Sequence, residues 1–141
     1  MNQTTESPHG LLDTSVLIAL ADLDPEQLPA EPLISAITLA ELSVGPHVAT
    51  SEYVRAARQA HLQQAEADFD PLPFDASAAR AFGIVAGALR ASGRKVSARA
   101  YDALIAATAL AHALPLYTAN PGDVPNIPGL VVCEVGLPGR G

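Results

Sequence analysis

Residues 10–18, Gly-Leu-Leu-Asp-Thr-Ser-Val-Leu-Ile, predict a buried strand that passes directly into a helix. The apolar residues before Asp13 indicate the strand, because a short apolar run is typical of a strand that is covered on both faces. The Asp-Thr-Ser step at 13–15 then offers the side-chain oxygens that begin helices, which predicts a short helix over 16–23. This strand–turn–helix unit is typical of α/β folds.

The rest of the chain alternates between the same two kinds of element. Further strands are predicted at 33–37, 115–118 and 130–135, and further helices at 38–44 with Thr38 as its cap, at 51–69, from Asp75 or Ser77 to about Ser92, and at 97–113. The alternation predicts an α/β fold in which a parallel sheet is flanked by helices on both faces. We expect one domain over 10–135, between a flexible N-terminal arm at 1–9 and a flexible tail at 136–141.

The composition narrows the class of protein. Of the 141 residues, 49% are hydrophobic and 16% are charged, so the chain has enough apolar material for a core. The net charge of -7 argues against binding nucleic acid by bulk positive charge, unless a metal ion and a local basic patch reverse the field at one site. A single cysteine excludes an internal disulfide framework. Without a signal-peptide pattern or a run of membrane-spanning length, we expect a cytoplasmic protein with no membrane partner.

Acidic residues follow the predicted strands. Asp13 ends the first strand, Glu41 lies one turn into the helix after the second, and Asp102 lies early in the helix before the third. Asn120 and Asp123 follow the third strand. Because ligand sites of parallel sheets lie beyond the carboxyl ends of the strands, we expect these side chains to converge on one edge.

Converging carboxylates require a proton or a cation. Two carboxylates about 4 Å apart repel each other by about 4 kcal/mol at an effective dielectric constant near 20. An all-oxygen set of ligands suits a hard ion such as Mg²⁺ or Mn²⁺, which binds phosphate oxygens and activates water. The reaction class that this pattern suggests is metal-dependent hydrolysis of phosphodiesters.

Four segments of the chain resemble the motifs of the PIN domain. They are residues 11–18, 35–45, 101–109 and 116–123, and each contains one of the acidic positions described above. Their order, their spacing and the length of the chain are similar to those of VapC toxins from bacterial toxin–antitoxin pairs. The resemblance covers roughly residues 10–135, and four motifs in order are far more specific than any one alone.

The resemblance implies a three-layer PIN-like fold and an endoribonuclease that depends on Mg²⁺ or Mn²⁺ and cleaves RNA, usually tRNA or rRNA. It implies that the catalytic and metal-binding residues are Asp13, Glu41, Asp102 and a fourth residue, Asp123 or Asn120. Four residues are expected to support the site, namely Thr14, Ser15, Thr118 and Asn120. The family also implies a VapB-type antitoxin, whose C-terminal segment covers an apolar groove and the active site. The helices at 38–44 and 51–69 are candidates for that groove and for a homodimer face.

The basic residues Arg94, Lys95 and Arg99 come shortly before Asp102 and are candidate RNA-binding residues. They equally fit the basic end of a helix followed by a solvated loop.

Each acidic residue also has an ordinary structural interpretation. Asp13 could cap a helix, Glu41 could lie in solvent, Asp102 could pair with Arg99, and Asp123 could belong to a turn. Two other functions stay open. A phosphohydrolase of the haloacid-dehalogenase type would use Asp13 as a covalent nucleophile, but that family has a second Asp where this chain has Ser15. A catalytically inactive PIN module would only bind RNA or protein.

Overall fold

The computed structural model describes residues 8–139, and its helices and strands alternate as predicted. The strands are β1 (His9–Leu12), β2 (Glu31–Leu33), β3 (Leu116–Thr118) and β4 (Val132–Glu134). The α-helices are α1 (Thr14–Ala19), α2 (Ala36–Val44), α3 (Glu52–Asp68), α4 (Ala76–Ala91) and α5 (Ala100–Ala111). Short 3₁₀ helices lie at Leu20–Asp22, Pro25–Gln27, Gly45–Val48, Val96–Arg99 and Pro121–Asp123. Residues 1–7 of the expected arm and residues 140–141 of the expected tail lie outside the described residues.

The four strands form one parallel sheet in the order β2-β1-β3-β4. Neighbouring residues of a strand face opposite sides of the sheet. Leu11 accordingly packs with Val85 of α4 and Ile105 of α5, whereas Leu12 packs with Val16 of α1 and with Ala65 of α3. The predicted fold, a parallel sheet between two layers of helices, is confirmed.

The strand order changes direction at β1. The chain places β2 on one side of β1 and later returns to place β3 on the other side. The N–H group of Asp13 donates to the carbonyl oxygen of Tyr117 at 3.0 Å, which continues the β1–β3 pairing past the end of β1. Asp13 and Thr118 therefore lie side by side at the point where ligand sites of such sheets are found.

The second strand and the following helix start earlier than predicted. Strand β2 covers Glu31–Leu33 rather than 33–37, and it includes Pro32 because it is an edge strand, where a missing N–H group is tolerated. Helix α2 is capped by Ser35, whose hydroxyl oxygen accepts from the N–H group of Thr38 at 3.1 Å. The prediction that Thr38 caps this helix is wrong, and its side chain is buried with no exposed surface.

The helices of the described part, residues 8–139, include none with both the length and the apolar character that a bilayer crossing requires.

We predict opposite effects for two Gly→Ala substitutions. A Cβ atom on Gly10 would lie 2.4 Å from Cε1 of Tyr117 and 3.0 Å from Cβ of Pro29, so Gly10→Ala forces the ring aside and should destabilise the fold by about 1–3 kcal/mol. Gly83 lies inside α4 and a Cβ there meets nothing within 4 Å, so Gly83→Ala should stabilise the fold by about 0.5–1 kcal/mol. Urea unfolding measures both, and a neutral Gly10→Ala would show that the close packing of Tyr117 is dispensable.

Candidate active site

One cavity at the carboxyl end of the sheet collects the acidic residues. Its volume is about 220 Å³, and its walls come from α1, α2, α5, the end of β3 and the following 3₁₀ helix. The lining includes the four predicted carboxylates and four predicted supporting residues, namely Asp13, Glu41, Asp102, Asp123, Thr14, Ser15, Thr118 and Asn120. The side chains that sequence reasoning assigned to one edge of the sheet thus share one cavity.

Asp13 is held from three directions. It is 8% exposed, and its Oδ1 accepts from the Ser15 hydroxyl at 2.7 Å and from the Val16 N–H group at 3.1 Å. Its Oδ2 accepts from the Thr118 hydroxyl. The Val16 contact makes Asp13 the cap of α1, so the structural interpretation and the site interpretation of this residue hold together. Because an ionised carboxylate has about four acceptor positions, three hydrogen bonds fix its orientation and leave capacity for a ligand.

Asn120 supports the site through its backbone. Its N–H group donates to the Thr118 hydroxyl oxygen at 3.0 Å, and the Thr118 hydroxyl in turn donates to Asp13. Thr118 is buried and Asn120 is exposed. The turn after β3 therefore fixes the orientation of the residue that binds Asp13.

Glu41 is bound by a threonine from another helix. The Thr14 hydroxyl donates to Oε1 of Glu41 at 2.6 Å, and Oγ1 of Thr14 also lies 3.0 Å from Oγ1 of Thr38. Sequence reasoning missed Thr38, which it assigned to a helix cap. The available signal was its spacing, because residues three apart share one face of a helix and Thr38 precedes Glu41 by three.

The pKa of Asp102 depends on its burial and on the charged side chains around it. Its pKa is raised from 3.8 to about 6, first by burial and then by the neighbouring charges of Asp123, Asp13 and Glu41, while Arg99 opposes the shift. The ordinary interpretation of Asp102 as the partner of Arg99 does not hold among the described ion pairs, because Arg99 pairs with Asp123 instead.

Two of the predicted RNA-binding residues lie at the rim. Nη1 of Arg94 and Nη1 of Arg99 each lie 3.9 Å from a carboxylate oxygen of Asp123, and both arginine side chains are about half exposed. Arg99 lines the cavity, whereas Arg94 and the exposed Lys95 do not. The basic residues therefore meet the acidic cluster at Asp123, where positive and negative charge adjoin.

The cavity offers oxygen donors of the kind that a divalent ion binds, from Asp13, Glu41, Asp102 and Asp123. Within residues 8–139, no group of three or more His, Cys, Asp or Glu side chains is arranged to hold a metal ion by itself. Mg²⁺ commonly keeps several waters and takes only one or two carboxylates together with phosphate oxygens of its substrate. The residues that could hold such an ion have hard oxygen donors, and burial together with neighbouring negative charge raises the pKa of Asp102 among them.

Comparison with known proteins identifies the family. The family model of the PIN domain matches residues 10–124, which include all four carboxylates of the cavity. The chain belongs to the PIN-domain family. The motif resemblance seen in the sequence is thereby confirmed.

The relatives of this PIN domain are VapC proteins. It is 41% identical over 120 residues to Ribonuclease VapC5 of Mycobacterium tuberculosis, covering 83% of this chain and 87% of the relative. It is 32% identical over 128 residues to Ribonuclease VapC4 of the same organism, covering 89% and 95%. Among solved structures, a member of the VapBC family of toxin–antitoxin systems, VapBC-5 from Mycobacterium tuberculosis, matches with a TM-score of 0.80 and 37% identity, covering 92% of this chain and all of that one.

We predict that Asp102→Asn stabilises the metal-free PIN domain at neutral pH. Folding raises the pKa of Asp102 from 3.8 to about 6, so the folded state holds the proton more tightly and loses stability as the pH rises through this window. For a half-exposed group we expect a gain of no more than about 1 kcal/mol, or a rise of about 3–5 °C in Tm at pH 7.5.

Thermal unfolding in EDTA from pH 4 to pH 8 measures this effect, and the difference in Tm between Asp102→Asn and wild type should become smaller towards pH 4. The matched control is Glu66→Gln, because Glu66 is an exposed carboxylate on α3 that does not line the cavity. The prediction is contradicted if Asp102→Asn has the Tm of wild type at pH 7.5, or if Glu66→Gln raises the Tm by the same amount.

Proposed function

We propose that this PIN domain is a divalent-metal-dependent endoribonuclease and acts in the cytoplasm as the toxin of a toxin–antitoxin pair. The observation that carries the proposal is the convergence of four carboxylates from separate elements in one cavity at the switch point of the sheet. The names of its relatives, Ribonuclease VapC5 and VapC4, support RNA as the substrate. By the family resemblance the target is tRNA or rRNA.

We assign the metal site to Asp13, Asp102 and Asp123, with Glu41 as a further ligand or as the base that orients water. A bound Mg²⁺ or Mn²⁺ supplies a Lewis acid for the phosphodiester and lowers the pKa of a bound water. We favour Asp123 over Asn120 for the fourth position, because it is a carboxylate that lines the cavity and, of the neighbouring charges, it has the largest effect on the pKa of Asp102.

The chain's own residues prepare proton transfer at Glu41. The Thr14 hydroxyl donates a hydrogen bond to Oε1 of Glu41, which leaves Oε2 to accept a proton from an attacking water. Ser15, Thr118 and the N–H group of Val16 keep the carboxylate of Asp13 aimed into the cavity. Groups that are already oriented before the reaction do not have to reorganise as charge develops in the transition state.

The basic rim residues Arg94 and Arg99 would neutralise RNA phosphates next to the acids, and Lys95 would add positive charge further out. Because the net charge of the chain is -7, this patch has to act locally, at the scale of one or two phosphates.

The partner we propose is a VapB-type antitoxin, on the strength of the VapBC structure to which the chain is similar. An apolar groove of about 350 Å³ lies between α1, α2 and α3, and its lining includes Leu17, Leu42 and Phe69. Ile18 lines both this groove and the acidic cavity, so a segment in the groove would reach the active site. We propose that the same two helices also carry a homodimer face, to which the exposed Val44 of α2 and Tyr53 of α3 would contribute.

Neither alternative function is favoured. The haloacid-dehalogenase pattern needs a second Asp two residues after the nucleophile, whereas this chain has Ser15 there, and the Ser15 hydroxyl donates to Oδ1 of Asp13. A catalytically inactive module has no need for four carboxylates held together against repulsion.

The decisive test is cleavage of total RNA with Mg²⁺ or Mn²⁺. We expect wild type to cleave, EDTA to abolish cleavage, and Asp13→Asn to lose at least about a hundredfold in rate. Asn also caps helices, so this variant removes a charge and keeps the start of α1. Glu66→Gln should cleave like wild type. Activity that survives EDTA or Asp13→Asn would refute a metal-dependent nuclease, and RNA binding without any cleavage would indicate an inactive module.

A second prediction concerns the basic rim. In EDTA, where no cleavage interferes, the double variant Arg94→Gln/Arg99→Gln should bind RNA more weakly than wild type. The slope of log Kd against log salt should fall by about 0.7 for each lost phosphate contact. Arg80→Gln is the single-charge control, because Arg80 is exposed near the start of α4 and does not line the cavity. Unchanged binding and slope in the double variant would remove these arginines from the RNA interface.

A further inference from the structure

A buried threonine lies behind Glu41 without contacting the open cavity. Thr38 has no exposed surface and is not among the residues that line the cavity. Its hydroxyl oxygen lies 3.0 Å from that of Thr14, which in turn lies 2.6 Å from Oε1 of Glu41. The three side chains form a hydrogen-bonded row that starts in the core and ends at the site.

The direction of the hydrogen bonds follows from the number of protons. A hydroxyl group has one proton, and an ionised carboxylate only accepts. Thr14 therefore donates to Glu41, and its oxygen has to accept from Thr38. Thr38 thus selects the orientation of Thr14 in which its proton points at the carboxylate.

This contact is not the usual one for a threonine in a helix. Such hydroxyls commonly donate to a carbonyl one turn earlier, as Thr108 does to Leu104 at 3.0 Å. The hydroxyl of Thr38 instead contacts another helix, and the cap of α2 uses the N–H group of Thr38 and the side chain of Ser35. Removal of the hydroxyl therefore leaves the cap in place.

Glu41 depends on this row more than Asp13 depends on any one donor. Asp13 accepts from three groups, two of them within its own strand–helix turn. Among the described hydrogen bonds, the Thr14 hydroxyl is the donor that holds the Glu41 carboxylate. A disturbance of Thr14 should therefore release Glu41 while leaving Asp13 held.

We propose that Thr38 is a positioning residue of the active site, which acts on Glu41 through the hydroxyl group of Thr14. The proposal rests on the proposed nuclease function for its catalytic consequence, but not for its structural one. The variant that tests it is Thr38→Val, which keeps the branched shape and removes the hydroxyl. Thr38→Ser restores a hydroxyl, and Thr108→Val is the matched control, because Thr108 is equally buried and does not line the cavity.

The first readout is the Thr14 side-chain rotamer in metal-free protein, from three-bond NMR couplings. We expect one rotamer in wild type, Thr38→Ser and Thr108→Val, and averaging over several in Thr38→Val. The second readout is Mn²⁺ affinity by titration, and the third is RNA cleavage. Both should fall about ten- to a hundredfold in Thr38→Val, recover in Thr38→Ser and change little in Thr108→Val. RNA binding in EDTA should match wild type in all variants.

The outcomes separate the two proposals. If wild type neither binds Mn²⁺ nor cleaves RNA, the proposed function fails, while the Thr14 rotamer still decides whether Thr38 positions Thr14. If wild type is active and Thr38→Val matches Thr108→Val in rotamer, affinity and rate, the positioning role of Thr38 is overturned. Equal losses in Thr38→Val and Thr108→Val would also overturn it, since they would reflect general loosening of the core.

Discussion

The site depends on the parallel pairing of β1 with β3. Through this pairing the N–H group of Asp13 donates to the carbonyl oxygen of Tyr117, and the Thr118 hydroxyl donates to the Asp13 carboxylate. More than a hundred residues separate Asp13 from Thr118 along the chain. Elements inserted between these strands then bring Glu41 and Asp102 to the same edge. Without that pairing the chain has four unrelated acidic residues, each with an ordinary structural role.

The fold keeps like charges together because apolar packing exceeds their repulsion. Leu11 and Leu12 anchor β1 to opposite helical layers, and both are fully buried. Burial of one such side chain contributes about 1.5–3 kcal/mol, so several buried side chains together exceed the repulsion of about 4 kcal/mol between two close carboxylates. Burial, and after it the charges of Asp123, Asp13 and Glu41, raise the pKa of Asp102 to about 6. The divalent ion that we propose would offset this charge.

The sequence predicts the parts of the site that are local and misses those that depend on contacts between helices. Asp13 with Ser15 and the position of Asp123 after a strand are visible as short patterns. The role of Thr38 is not, because its N–H group and its hydroxyl serve different elements and only packing of α1 on α2 brings it to Thr14. The sequence also predicts β2 and α2 too late in the chain, because Pro32 is acceptable only in an edge strand and strand order is not evident from the sequence.

The support of Glu41 also links the acidic cavity to the apolar groove. Thr14 belongs to α1, while Thr38 and Glu41 belong to α2, so their hydrogen bonds span the interface of these two helices. The groove is lined from the same two helices by Ile18 and Leu42. Because a hydrogen bond weakens steeply with distance and angle, the Thr14–Glu41 contact depends on the close packing of α1 on α2. The residues that orient the Glu41 carboxylate and those that form the groove therefore rely on the same helix–helix interface.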